Sequence, residues 1–385
     1  MSFQFGFSSQ DFSDDELESS QKASLLAPDM NNDLKCESIS PLDLPHLTSP
    51  ELKQPKWESL SGILEGLVNV RVSFEKILTP QMGIPLYRRE LFDVKHQLMT
   101  EADEMADDGA NAELEILMGE TNEDVRKNIY EGGLKSWECS IDLVDALSSS
   151  LSDTIRSGTI LELGCGTSLP SEFLFSQLLK GEHQTCSANI ILTDYNESVL
   201  RLVSLPNLVI TWALETLKTQ ELIDIQQCGD KTVPVEENEL LLTSSLLEKF
   251  QDDTSKRGIN LKLLSGTWGR QFYDIVSSEL QQSAELLILS SETIYQPETL
   301  PVISELILEL LRPSCQSQSY TAKALVAAKD IYFGVGGSVI EFQNYIENRI
   351  AKDSLNLVHQ TFKVQAGLKR SIVSIEHRKD EAIHM

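Results

Sequence analysis

The sequence predicts an α/β protein with a Rossmann-like parallel sheet, on three observations. Beyond Ile155, short apolar runs alternate with helical stretches; the first run opens into a glycine turn, ILELGCGTSLP; and the last two runs lie too close together for a helical crossover. Strands that alternate with helices argue for a parallel sheet covered on both faces. A chain of 385 residues, 41% of them apolar, has ample material for such a core.

The elements are expected in this order. Met1 to Lys56 is rich in Ser, Asp, Glu, Pro and Asn. Such a composition cannot bury enough surface to offset the cost of ordering, so 1–56 reads as a disordered acidic tail. Within it Phe3, Phe5 and Phe7 alternate, a pattern for strand addition to a partner or for a loosely collapsed terminus. From Trp57 to Leu78, the residues Leu60, Ile63, Leu64, Leu67 and Val68 recur at helical spacing and Pro80 ends the run, which predicts a packing helix. Glu101 to Asp124 holds ten acidic residues and no Lys or Arg, the mark of a solvated insertion. Residues 57–156 are therefore expected to form a helical extension carrying that insertion and a lid. Residues 157–385 then supply the strands TILEL, IILTD, LKLLS, ELLILSS and ALVAAKD. HQTFKV and RSIVSIE are separated only by Gln365 to Lys369, around Gly367, and must pair as an antiparallel hairpin.

Composition narrows the partners. A net charge of -27 lacks the cationic surface that holds phosphate backbones, so direct nucleic acid binding is not expected and a basic protein partner is. Cys36, Cys139, Cys165, Cys186, Cys228 and Cys315 are scattered without a C-x-x-C pair, and the histidines are isolated. Reduced thiols, no disulfide framework and no metal site are expected. The amino terminus has no basic flank and no run of membrane-spanning length is evident. The expectation is a monomer in the cytosol, with the nucleus as a second compartment.

Chemistry enters at the glycine turn. Gly164 and Gly166 allow a tight turn with backbone close to a ligand at a helix start. Leu169 stands where a dinucleotide fingerprint has its third glycine. S-adenosylmethionine carries no phosphate, which relaxes that requirement. Its ammonium group suits Glu162, two residues before Gly164, directly or through water. Asp194, ending IILTD, is placed to accept from both ribose hydroxyls, or is simply a strand-end turn residue. In SGTWGR, backbone amides of Gly266, Thr267 and Trp268 would read the adenine edge while the indole covers a face. A core Trp after a turn is the alternative. These signals, in this order and with a terminal hairpin, resemble the class I S-adenosylmethionine-dependent methyltransferases, whose sheet has seven strands.

Longer words refine the resemblance. RRELFDVKHQLM, RKNIYEGGLKSWECS, LELGCGTSLPSEF, LTDYN, LLILSSETIYQP, KDIYFGVGGS and GLKRSIVSIE, with the amino-terminal FQFGF, resemble the eukaryotic protein-histidine N-methyltransferases in their fungal form. The match runs from about Arg88 to Glu376. The resemblance implies transfer to the tele nitrogen of one histidine in a basic large-subunit ribosomal protein, with a role in translation. It implies cofactor contacts at Ser136, Trp137, Glu138, Cys139 and Ser140, at Gly164, at Asp194, Tyr195 and Asn196, at Gly266 to Trp268, and at Ser291. Trp137 alone would otherwise be read as packing a helix onto the sheet. In SSETIYQP, at a strand's carboxyl end, Glu292 and Tyr295 form an E-x-x-Y pair. A neutral imidazole needs one lone pair aimed at the methyl group, and a carboxylate on the other nitrogen would fix the tautomer and stabilise the imidazolium formed. Glu292 is thus the catalytic candidate, or else a cap on the next turn. Asp330, Tyr332 and Gly336 are assigned, with Tyr295, to the substrate pocket. A lysine methyltransferase of the same fold and a cofactor-binding chaperone of a ribosomal protein are the alternatives.

Overall fold

The alternation of apolar runs produces eleven strands among the described residues: β1 (Lys56–Glu58), β2 (Arg71–Leu78), β3 (Pro85–Arg89), β4 (Thr159–Leu163), β5 (Ala188–Asp194), β6 (Glu239–Leu241), β7 (Ile259–Ser265), β8 (Glu285–Ser291), β9 (Thr321–Lys329), β10 (Leu357–Val364) and β11 (Arg370–His377). The structure is a computed structural model that describes residues 39–104, 125–126, 129–150, 157–180, 187–281, 283–315, 320–332, 334–364 and 368–378. Phe3, Phe5, Phe7, Cys36, Cys186, Phe333, Gly367 and the acidic block from 105 to 124 lie outside the described residues.

Eight strands form one sheet in the order β1-β7-β5-β4-β8-β9-β11-β10. The run from β7 to β9 is parallel, and β11 pairs antiparallel with both β9 and β10, as the close spacing of the last two runs requires. Every residue of β4 is buried, which is why TILEL lacks the alternation of a half-exposed strand. The chain order reverses at β4, between β5 and β8, and open parallel sheets bind ligands beyond the carboxyl ends of such strands.

The amino-terminal part departs from expectation. Only Leu60–Gly66 is helical in the predicted 57–78 helix (α1), and β2 follows it. In RVSFEKIL, Val72 and Phe74 are buried between less buried neighbours, a period of two that overrides the helical spacing upstream. The extension is therefore mixed, with β2 between β3 and β6 in a small sheet of its own. Nor does the segment expected to be disordered extend to Lys56. From Ser40 onward it joins the main compact unit, in two 3₁₀ turns, Pro41–Asp43 and Pro45–Thr48, that start at prolines. Leu42 and Leu47 are buried against the sheet's helical cover, and β1 extends the sheet antiparallel to β7 as an eighth strand.

Helices cover both faces. On one lie α3 (Glu138–Ser150), α4 (Leu169–Leu179), α5 (Glu197–Thr216) and α7 (Ser244–Lys256). On the other lie α8 (Arg270–Leu280), α9 (Leu300–Leu311) and α10 (Val339–Asp353). Also helical are α2 (Leu91–Glu104) and α6 (Thr219–Gln227). Although no spanning run was expected, α5 has the length and hydropathy of one; 78% of its most apolar stretch is buried and it acts as a core helix. A π turn at Leu200–Ser204 precedes Pro206. Pro206 cannot donate to the Leu202 carbonyl, and Nη1 of the buried Arg89 donates to it instead at 3.0 Å. The edge strand β3 is covered by side chains of the same layer. Tyr87 N–H donates to Glu172 Oε1 (2.7 Å) and Arg89 N–H to Asn207 Oδ1 (2.8 Å).

Candidate active site

The glycine turn follows β4 and enters α4. Gly164 (φ +65°) and Gly166 (φ +51°) are left-handed, and a Cβ on Gly164 would stand 2.7 Å from Thr293 Cγ2. The amides of Gly166 and Asn196 donate to the two carboxylate oxygens of Asp194, each at 3.1 Å. Asp194 thereby fastens the turn to the end of β5 while lining the cavity. Glu162 does not serve as expected. On the alternating strand it faces α4, with Ile160, and is not part of the cleft wall. It is fully buried and accepts from the Ser171 amide at 3.1 Å. Burial, only partly countered by Ser171, pushes its carboxyl up to about 8.

Beyond the strand ends lies a cleft whose empty space, the open solvent at its mouth included, is ≈ 920 Å³. Of the candidate residues, Trp137, Ser140, Gly164, Gly166, Asp194, Tyr195, Gly266, Thr267, Trp268, Ser291, Glu292 and Tyr295 line it. The wall also includes Glu131, Gly132, Gly133, Lys135, Cys165, Thr167, Thr293, Gln296 and Thr299, which were not assigned from sequence. The word YEGGLK contains the first four, yet only its Trp-bearing continuation carried a recognised role. Besides Glu162 and Tyr332, six candidates stand behind or beside this wall. Ser136 shares a hydrogen bond with Thr167 Oγ1 (3.0 Å), and Asn196 Nδ2 donates to the Ile129 carbonyl (2.7 Å), holding the loop that carries Glu131. Cys139 is packed in the core, and Glu138 faces Lys329 at 3.5 Å. Asp330 pairs with Ser371 and with Lys363 (2.9 Å) instead of opening into the cleft. Gly336 packs over Pro297, and its neighbour Gly337 is the tighter fit, since an added Cβ would lie 2.2 Å from the Ile294 carbonyl.

At one end of the cleft, Gly266 N–H donates to the Asp194 carbonyl (3.0 Å) and Thr267 N–H to the Lys53 carbonyl (2.8 Å). Those two amides are committed within the chain and do not read an adenine edge as expected. The Lys53–Pro55 backbone closes this end instead. A Cβ on Gly266 (φ +112°) would meet Pro55 at 2.6 Å, and Tyr195 receives the Lys53 amide at 3.3 Å. Trp268 and Tyr195 leave aromatic surface on the wall.

At the other end, Glu292 leaves β8 in the left-handed region (φ +57°) while its amide still donates to the Ala327 carbonyl at 2.9 Å. A non-glycine residue held there is strained, and the strain aims the side chain. Tyr332 Oη donates to Glu292 Oε2 at 2.6 Å, and the Lys329 amide supports Tyr332 Oη at 3.3 Å. Glu292 Oε1 is buried and accepts no hydrogen bond. Tyr295 Oη donates to Glu131 Oε2, and the two tyrosine rings stand 6.2 Å apart. Burial first, then the adjacent carboxylate, pushes both phenols up, so each remains a donor. The same two causes raise the Cys139 thiol, which is therefore not a nucleophile here. Tyr332, assigned to the substrate rim, thus acts on Glu292.

A turn that admits no Cβ, an aspartate at the next strand end and aromatic walls fit S-adenosylmethionine. Asp194, Tyr195, Trp268 and Gly164 are the residues that would hold it. Comparison with known proteins agrees. The chain is 48% identical over 382 residues to histidine protein methyltransferase 1 of Saccharomyces cerevisiae, covering 98% of this chain and 99% of that one. It is 34% identical to the Schizosaccharomyces pombe protein of the same name, covering 70% and 71%. No protein-family model matches. Among solved structures, an S-adenosylmethionine-dependent methyltransferase from Agrobacterium tumefaciens covers 66% of each chain at 10% identity and a TM-score of 0.35. On the relatives, together with the sheet and its cleft, this chain belongs to the histidine protein methyltransferase family, enzymes that take their methyl group from S-adenosylmethionine.

Proposed function

We propose that this chain methylates the tele nitrogen of a histidine in a basic, large-subunit ribosomal protein. The observation that carries the reading is Glu292, a carboxylate in the cleft wall at the end of β8 whose buried Oε1 has no hydrogen-bond donor. A carboxylate with an unused acceptor suits a neutral side chain with one N–H to donate and one lone pair to aim, which is imidazole. When bound, S-adenosylmethionine supplies an electrophilic sulfonium methyl group. The chain's residues do the rest by position. Tyr332 holds Oε2, Oε1 accepts the pros N–H, and the tele lone pair is left facing the donor. As the N–C bond forms, the methyl–sulfur bond would break, S-adenosylhomocysteine would leave, and the positive charge passed to the ring is stabilised by the Glu292 carboxylate. The pros proton then leaves to solvent with the product. The net charge of -27 supports a basic protein as partner and disfavours nucleic acid contact. A monomer acting in the cytosol or nucleus is part of the proposal.

The test is mass spectrometry of ribosomal proteins from cells with and without the gene. Loss of one methyl group at a single histidine is expected. Loss at lysine alone would replace this reading with a lysine methyltransferase, and no change at all would leave a cofactor-binding chaperone.

A further inference from the structure

The acceptor oxygen of Glu292 has a cation beside it. Lys329, the last residue of β9, brings Nζ to 3.7 Å from Glu292 Oε1, too far for a hydrogen bond but close for its charge. The ammonium is held there from other sides, 3.5 Å from Glu138 Oε2 and 5.2 Å from the centre of the Trp137 ring. Its side chain is 20% exposed and that of Glu292 7%, so water screens the pair poorly. Behind them Asp142 and Arg370 form a buried pair that adds no net charge. A carboxylate with a fixed ammonium at this distance still accepts from a neutral N–H, but the cationic position next to it is taken.

We propose that Lys329 is a specificity-determining residue that excludes lysine and arginine side chains from the Glu292 site. This rests on Glu292 as the acceptor for the target side chain. A basic substrate protein presents many ammonium groups around its histidine, and an unguarded buried carboxylate would bind them without reaction. Such binding inhibits without contributing to the chemical step. Placing a like charge where the wrong side chain would sit removes it, as specificity by repulsion generally does. Two cations about 4 Å apart in a poorly screened site cost well over roughly tenfold in affinity.

The test uses the full chain saturated with S-adenosylhomocysteine, titrated calorimetrically with n-butylammonium chloride as a truncated lysine side chain, at constant ionic strength. 1-Butanol serves as the neutral control. The expected result is that Lys329→Met or Lys329→Gln binds the cation about tenfold or more tightly than the parent chain. Lys329→Arg should behave as the parent, butanol should not distinguish the variants, and the gain should vanish in Lys329→Met with Glu292→Gln. Equal affinity in the parent chain and in both neutral variants would overturn the proposal, as would a gain that survives removal of the Glu292 charge. Methyl transfer by Glu292→Gln alone reports separately on Glu292. A fully active Glu292→Gln enzyme would sink the reading of that carboxylate whatever the titration shows.

Discussion

At the scale of single residues, the division of labour between Glu292 and Tyr332 makes a graded forecast. Glu292→Gln keeps the shape but replaces a charged acceptor with an amide, so kcat should fall roughly 10²–10³-fold, the usual loss of one electrostatic contact to the transition state. Tyr332→Phe leaves the carboxylate but frees Oε2, and about a tenfold loss in kcat is expected, with cofactor affinity unchanged in both variants. Transfer of labelled methyl groups and calorimetry with S-adenosylhomocysteine measure the two quantities; a large change in cofactor affinity would place Glu292 in the wrong subsite. The glycine turn gives the opposite signature. Gly164→Ala combines a left-handed φ with a Cβ 2.7 Å from Thr293, and should weaken cofactor binding by about tenfold or more before it touches kcat.

At the scale of elements, α4 and β3 are joined through a carboxyl group that has little water. Glu172 Oε1 accepts from Tyr87 N–H and from Thr211 Oγ1 (2.8 Å), while Oε2 is buried without a partner. Burial pushes its carboxyl up to about 8 from an ordinary 4.5, as it does Glu162 in β4. Below pH 4.5 both groups carry protons folded or unfolded. As pH climbs towards 8 the unfolded chain gives its protons up first, so stability falls with rising pH, by about 1.4 kcal/mol per pH unit for each group. Urea denaturation at pH 5, 6.5 and 8 should show that fall, and Glu172→Gln should reduce its slope by about one proton; an unchanged slope would mean the group is already ionised. The strands that place these carboxyls were legible because β4 and β5 are nearly uniform apolar runs with turn residues at their ends. β2 was not, since Val72 and Phe74 mark a period of two only just after five residues at helical spacing. Asp194 and Gly164 could be read from the order of their motifs, whereas only folding brings the loop of Glu131 to the cleft and the strand end of Lys329 to Glu292. Glu162 was misassigned for want of a reference for strand facing: its neighbours Leu161 and Leu163 turn to one core and it turns to the other.

At the scale of the whole molecule, a net charge of -27 would govern how the basic partner proposed above arrives. Steering of this kind acts on encounter and is screened within about 8–10 Å at 0.1–0.15 M salt. Raising NaCl from about 50 to 300 mM should raise KM for the protein substrate severalfold while leaving kcat in place, provided ionic strength does not unfold the chain; a salt-independent KM would assign recognition to contact surfaces alone. The segment around β1 bears on a different matter, the order in which the protein is made. Glu58 meets Ser265 across 207 positions, and Lys53 meets Thr267 across a similar interval. Emerging from the ribosome, this piece has no strand to join until β7 follows it out, long after the glycine turn and Asp194 have left the tunnel. Pairings so distant in sequence form late. A truncated nascent chain can therefore hold the turn and its aspartate yet leave the cleft open where Lys53 to Pro55 close it, and the complete cleft exists only once most of the polypeptide has been synthesised.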